Sequence, residues 1–378
     1  MSDLYELPIG WEWIEFSKVF NNPTSKPYQI NKSEYMENGK YPIVDQGKEF
    51  IIGYTDNEYK IYNNESKCII FGDHTRQIKF VDFNFVVGAD GTKILKEKDS
   101  NKFDIKFLYY QFSSKKIESL GYSRHFKLVK QMKFALPTLS EQQRIVSKLD
   151  LLFEKIDKSI ALHQKNMDEA DVFMGSVLND VFGELEEKYT KIPLFEVADV
   201  SRGKSKHRPR NDKKLFGGNY PFIKTGDVRN ANKYITDYTN TYSEFGLAQS
   251  KLWKKGTICM TIAANIGDVA ILNMDSCFPD SVVGLYSENN SNDYLYFFLQ
   301  TLKQHLESKA TTTAQMNINL KVLQTIGVPL PPLSIQEQIV KYLNNMYEKI
   351  EKIKSIQKEK MDSIKALKAS ILDSAVRG

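Results

Sequence analysis

The sequence predicts an α+β protein built twice: two mixed modules, residues 1–138 and 184–332, each lead into one long helix, residues 139–183 and 333–378. Three observations predict it. There is an internal repeat at a fixed offset, there are two long stretches without proline, and the modules alternate short apolar strands with amphipathic helices.

In the first module, Lys67-Cys-Ile-Ile-Phe71 and Phe83-Asn-Phe-Val-Val87 are short β-rich runs bounded by turn residues, apolar enough to be buried strands. Phe103 to Ile117 carries apolar residues at helical spacing. The second module repeats the scheme with strands at Gly256-Thr-Ile-Cys-Met260 and Asp268-Val-Ala-Ile-Leu272 and a helix at Tyr294 to Leu306.

The repeat joins the two halves. Leu136-Pro-Thr-Leu-Ser-Glu-Gln-Gln-Arg-Ile-Val146 returns as Leu330-Pro-Pro-Leu-Ser-Ile-Gln-Glu-Gln-Ile-Val340, an offset of 194 residues (136 to 330). The same offset aligns Glu154-Lys-Ile156 with Glu348-Lys-Ile350, Met167-Asp168 with Met361-Asp362 and Ser176-Val-Leu178 with Ser370-Ile-Leu372, with about a third of roughly 43 positions identical. Upstream, Gly121 to Lys127 pairs with Gln315 to Lys321. The lengths then drift: Asp104 to Tyr110 resembles Asp293 to Phe298, and Tyr41-Pro-Ile-Val resembles Tyr220-Pro-Phe-Ile. Divergent modules alternating with well-matched segments imply approximate internal two-fold symmetry.

Each matched segment opens on Pro-x-Leu-Ser, where the proline stops backward extension and Ser140 or Ser334 is expected to cap the first turn. In the first, Val146, Leu149, Phe153, Ile156, Ile160, His163, Met167, Ala170, Met174, Val177 and Val181 recur in steps of three and four, a heptad seam. In the second, Val340, Leu343, Tyr347, Ile350, Met361, Ile364, Ile371 and Ala375 keep the register, but Lys354, Gln357 and Lys368 interrupt it. Neighbouring Ile353, Ile356 and Leu367 suggest that this seam shifts or broadens. His163 and Gln357 occupy equivalent mid-helix positions, either fixing register or solvated at the seam edge. Such helices span roughly 60–65 Å, and an apolar stripe of that length needs cover. An antiparallel pairing of the two helices supplies it, the alternative being that each packs only on its own module.

A content of 41% hydrophobic and 26% charged residues is that of a globular protein, and no apolar run is long enough to span a bilayer. Met1 to Gly10, with Asp3, lacks the pattern of a secretory signal, so a cytoplasmic location and no membrane partner are expected. Cys68, Cys259 and Cys277 form no Cys-x-x-Cys pair and are expected as buried, reduced thiols.

A net charge of +5 says little about partners, but its placement says more. Ser201 to Lys214 holds seven Lys or Arg against one Asp in a stretch interrupted by glycine, serine and proline. Lys204, Lys206, His207, Arg208 and Arg210 suit a phosphate backbone, although a solvated basic loop would read the same way. Further candidates for nucleic-acid contact are Lys224, Thr225, Asp227 and Arg229 in the next turn and His74, Arg76 and Gln77 in the first module. Arg and Gln pair their hydrogen-bonding groups with guanine and adenine edges.

These features resemble one family, the specificity subunits of Type I restriction-modification systems. The likeness is carried by the segment from Leu136 and its copy from Leu330, by Leu7-Pro-Ile-Gly-Trp-Glu-Trp13, by Gly203 to Val228 with Gly217-Gly-Asn-Tyr-Pro-Phe-Ile-Lys-Thr-Gly-Asp-Val228, and by Leu367-Lys-Ala-Ser-Ile-Leu-Asp-Ser-Ala-Val376. It covers essentially the whole chain. The resemblance implies two target-recognition domains in a pseudo-two-fold arrangement, separated by two helices forming an antiparallel coiled coil. Each domain would read one half of a bipartite, asymmetric site in double-stranded DNA, with the helices setting the spacer. The helices would also dock two modification methyltransferase subunits, which use S-adenosylmethionine, and the assembly would recruit restriction/translocase subunits that need ATP and Mg. The first module departs from the second: in place of a basic loop it has only the shorter, less charged Asn22 to Lys32.

Missing motifs agree with a chain that does no chemistry and holds no cofactor or metal. The only double proline, Pro331-Pro332, starts a helix rather than an Asn/Asp-Pro-Pro-aromatic motif, and there is no Gly-x-x-x-x-Gly-Lys-Ser/Thr loop. Pro279-Asp280 is followed by Glu288-Asn-Asn, not Glu-x-Lys, and His74, His125, His163, His207 and His305 lack metal-ligand spacing. The competing expectations are a coiled-coil adaptor that binds only proteins, and a nuclease or methyltransferase with a divergent site.

Overall fold

The computed structural model describes residues 5–63, 67–88, 90–121, 123–263, 266–303 and 320–378. Positions 304–306 at the end of the expected helix, His305 among them, Tyr122 and the repeat positions 315–319 lie outside the described residues. The chain divides into two compact units, residues 1–164 with 358–378, and residues 165–357.

In the first unit, strands Phe20–Asn21, Thr92–Glu97, Cys68–Gly72 and Ile78–Val81 form an antiparallel sheet in that order. A second sheet orders Tyr54–Thr55, Tyr41–Val44, Phe85–Val87 and Ile61–Tyr62, with Tyr41–Val44 and Phe85–Val87 parallel. Helix Ile105–Ser114 is capped by the Asp104 carboxylate, which accepts from the amides of Lys106 and Phe107. Its Phe107, Leu108 and Phe112 are fully buried with Phe71, Phe126 and Phe134. Strand Glu12–Glu15 pairs with Lys133–Leu136, which feeds the first long helix, Leu139–Lys188.

The second unit orders Asp199–Arg202, Val282–Tyr286, Ile258–Thr261, Val269–Leu272 and Tyr234–Ile235 in one sheet. Helix Asn292–Thr301 is capped by the Ser291 hydroxyl and buries Tyr294 to Leu299 in the core. Strand Lys191–Pro193 pairs with Gly327–Pro329, just ahead of the second long helix, Leu333–Arg377. The caps correct the sequence pairing of Asp104 with Asp293. Asp104 corresponds to Ser291, which places Leu108-Tyr-Tyr110 opposite Leu295-Tyr-Phe297.

The helix caps lie two residues ahead of the expected serines. Both helices begin at the leucine, so the carbonyls of Thr138 and Pro332 accept the first helical bonds, from Gln142 and Gln336, and Ser140 and Ser334 lie inside the first turn. What secures each start is the buried glutamine two residues on. Gln142 accepts from the Asp104 amide at 2.9 Å and donates to the carbonyls of Lys102 and Pro137. Gln336 accepts from the Ser291 amide at 3.0 Å and donates to Asn290 and to the Pro331 carbonyl.

The long helices pair antiparallel within each unit. In the first, Val146, Leu149 and Phe153 near the start of one helix pack with Ile371, Leu372 and Val376 at the end of the other. In the second, Met174, Val177 and Val181 pack with Val340, Leu343 and Tyr347. Every residue of the expected seam on the first helix is buried or half-buried. On the second helix the expected shift does not occur: Ile353, Ile356 and Leu367 are exposed, while Lys354, Gln357 and Lys368 stay half-buried in register. The lysines fit because their stems lie along the seam while the ammonium meets a carboxylate across it. Lys368 pairs with Asp157 at 2.5 Å and stands 4.9 Å from the Phe153 ring centre, and Lys354 pairs with Asp171 at 2.7 Å. His163 is half-buried at the seam.

Among the described residues, no helix is long and apolar enough to cross a membrane. Cys68, Cys259 and Cys277 are buried and unpaired with one another.

Candidate nucleic-acid interface

In the second module the basic stretch leaves strand Asp199–Arg202 at Gly203, whose amide donates to the Val282 carbonyl at 2.9 Å. Only glycine fits there, since a Cβ would lie 2.3 Å from the carbonyl oxygens of Phe278 and Pro279. From that point the loop is pinned along its length. The Lys206 amide donates to Gln249, the Ser250 hydroxyl to the Lys204 carbonyl at 2.8 Å, and the Ser243 hydroxyl to the Lys214 carbonyl at 2.6 Å. His207 hydrogen-bonds Asp212 at 2.9 Å and stands edge-on to Phe245. The Lys214 amide, and then His207, hold the Asp212 carboxyl below its usual range.

This anchoring sorts the candidate cations. Arg208 turns back to donate to the carbonyls of Ser205 and His207, and Arg210 pairs with Asp280 at 2.8 Å. Lys204 and Lys206 are exposed, their backbone rather than their side chains carrying the anchors. The loop leads through Lys213–Leu215 into a ribbon of Phe216–Phe222 against Asn240–Tyr242, bulged between Phe216 and Tyr220, with Gly217 at φ +88°. Beyond the ribbon, Lys224 donates its amide to Asp227 at 2.8 Å and its ammonium to Asn240. Thr225 opens the short helix Thr225–Asn230, and Arg229 is exposed in its last turn. The first five candidates therefore share one loop, and Lys224, Thr225 and Arg229 share a separate turn.

In the first module, His74, Arg76 and Gln77 form the tight turn between strands Cys68–Gly72 and Ile78–Val81, all exposed. Arg76 takes φ 63°, and its guanidinium donates to the Ile117 carbonyl at 3.0 Å. Buried Asp73 ties the turn inward by accepting the amides of His125 and Phe126. His125 is a structural residue: its Nε2 accepts from the Leu120 amide, so Nδ1 carries the proton donated to the Asp73 carbonyl.

Sequence reasoning missed two neighbours of these groups. Lys251 follows Gln249 and Ser250, which bind the basic loop, and its ammonium lies 3.6 Å from the ring centre of buried Trp253. Gln46 contacts the His74 turn. Nothing in the local sequence marks either, because each is brought in by hydrogen bonds between segments far apart in the chain.

The family model of the Type I restriction modification DNA specificity domain matches residues 8–169 and again residues 186–360. The chain belongs to this family. The two matches coincide with the two halves of the repeat, so each specificity domain comprises one mixed module and the start of the long helix after it. Among its relatives is the specificity subunit of the type I restriction enzyme EcoR124I/EcoR124II of Escherichia coli, 23% identical over 361 residues that cover 88% of this chain and 86% of that one. The specificity subunit of type I restriction enzyme MjaVIII of Methanocaldococcus jannaschii is 25% identical over 385 residues, covering 91% and 88%. A chain from a structure addressing complex assembly and conformational transition of the type I R-M system shares the fold, with a TM-score of 0.70 at 20% identity over 99% of this chain and 100% of that one.

Proposed function

We propose that this chain selects the DNA target of a Type I restriction-modification enzyme, each module reading one half of a bipartite, asymmetric site and the paired helices setting the spacer. The observation that carries the reading is the double match to the DNA specificity domain on a chain whose scaffold repeats while its loops differ. A repeated scaffold with divergent loops suits two different half-sites read in one way.

Catalysis belongs to other subunits on this reading, and the chain itself holds no cofactor. S-adenosylmethionine, ATP and magnesium serve two modification methyltransferase subunits and the restriction/translocase subunits, in the cytoplasm, where the target DNA is. Exposed Leu151, Leu162, Val172, Phe173 and Tyr342 on the long helices supply apolar area for docking those partners. The pinned cationic loop and the specificity-domain match favour a DNA reader over a protein-only adaptor.

The test is binding of duplex DNA by the chain assembled with its modification subunit, across a salt series, together with mapping of methylated adenines in a host carrying both. The expected result is a bipartite methylated motif and affinity that falls with salt. Binding without sequence preference overturns the reading.

A further inference from the structure

The first module has no counterpart of the basic loop, and its candidate contacts His74, Arg76 and Gln77 lie in one tight turn. Gln46 holds this turn with two groups and is itself anchored by a third. Its Oε1 accepts from the His74 amide at 3.1 Å, its Nε2 donates to the Asp90 carbonyl at 2.7 Å, and its own carbonyl accepts the Thr75 hydroxyl. Two glycines leave room for this junction. A Cβ on Gly91, which sits at φ +83°, would lie 2.9 Å from both amide atoms of Gln46 and from the His74 ring, and one on Gly72 would lie 2.8 Å from the Gln46 carbonyl. From the other side, Arg76 and Asp73 fasten the turn to Ile117 and Phe126. The backbone before Gln46 is fixed as well, because the buried Lys79 ammonium donates to the Asp45 carbonyl at 2.8 Å.

We infer that Gln46 is a positioning residue for base reading by the first module. It sets the direction in which His74 and Gln77 leave the turn, and thereby the sequence of one half-site, without itself touching DNA. The inference rests on the proposed function and on that turn contacting DNA.

The experiment maps methylated adenines in a host carrying the full complex with Gln46→Ala, and separately with His74→Ala and Gln77→Ala. Loss of a hydrogen-bonded pin corresponds to about fivefold in discrimination. Gln46→Ala is therefore expected to relax, by about that factor, the same base positions that His74→Ala or Gln77→Ala alter, while the other half-site and the spacer stay unchanged. Those unchanged parts report a folded, assembled subunit. If Gln46→Ala gives no folded subunit, Gln46→Glu carries the same readout, keeping the acceptor for the His74 amide and losing the donor to Asp90. Turn variants that change the half-site while the Gln46 variants leave it intact overturn the role of Gln46 alone. Turn variants that leave it intact overturn the reading of the turn, and with it the inference.

Discussion

Gln142 and Gln336, 194 positions apart (142 to 336), do the same job in the two halves of the chain: each accepts the backbone amide of the residue that caps its module's helix and donates to the proline carbonyl before its own long helix. Both are about 1% exposed. A buried amide group that meets its partners locks two helix starts together, and one that loses them is costly.

Replacing either glutamine with alanine leaves a cap amide and a proline carbonyl buried without partners, and is expected to destabilise by about 2–4 kcal/mol. Denaturant unfolding of each variant checks it. A cost below about 1 kcal/mol at both positions contradicts the account.

The seam lysines pair at Asp157–Lys368 and Asp171–Lys354, fourteen residues on along one helix (157 to 171) and fourteen back along the other (368 to 354). These carboxylates are more than half exposed, so each pair contributes only about 0.2–1 kcal/mol. Lys368→Met, which extends the apolar seam, is expected to be neutral or stabilising, whereas Lys368→Glu destabilises and is partly rescued by Asp157→Lys. A double-mutant cycle in urea measures the coupling.

Lys115 is half-buried between Trp13 and Phe134, and burial, then the like charge of Arg377, lower its pKa to about 8 from 10.5. Below 8 the folded protein bears the full cost of the buried ammonium. Between 8 and 10.5 the unfolded chain holds the extra proton, so this group makes stability rise with pH across that window. Lys115→Met is expected to raise the melting temperature at pH 7 and to flatten the rise, as thermal melts from pH 7 to 10 would show.

Lys204 and Lys206 on the pinned loop and Lys251 beside it are exposed residues. If each meets a phosphate, replacing all three with alanine lowers the slope of log affinity against log salt by about 2.7. Arg208→Ala with Arg210→Ala is expected to weaken DNA binding and flatten its salt dependence as well, and the intramolecular contacts of both arginines make the drop per residue smaller. Unchanged slopes would remove the loop from the interface.

With the helices antiparallel, shortening one alone breaks the register, but deleting 158–164 together with the opposing 361–367 preserves it. The loss is about 10 Å of helix, or roughly three base pairs of duplex. The methylated motif should keep both half-sites with a spacer shorter by about that amount. An unchanged spacer rules out the helices as its measure.

Much of this was legible before folding was considered. The 194-residue repeat, the strands around Cys68 and Cys259 and the seam on the first helix rest on periodicity and on duplication, which leave a local trace. The departures share one cause. Lys354 and Lys368 read as breaks in a seam because a charge looks exposed until its partner is known, and those partners, Asp171 and Asp157, stand on another helix. Ser140 and Ser334 read as caps because the buried glutamine that secures each start gains its meaning only from a module helix folded against it. The candidate cations likewise looked equivalent along Ser201 to Lys214 until Arg210 met Asp280.

Sequence alone determined that the chain is two copies of one plan, α+β modules followed by long amphipathic helices, because duplicated segments and hydrophobic spacing are local properties of the polymer. Only tertiary packing set which polar groups are satisfied within the protein, as with Gln142 and Arg210. A hydrogen bond or ion pair depends on a distance between groups far apart in the chain, and no local pattern of residues encodes that distance.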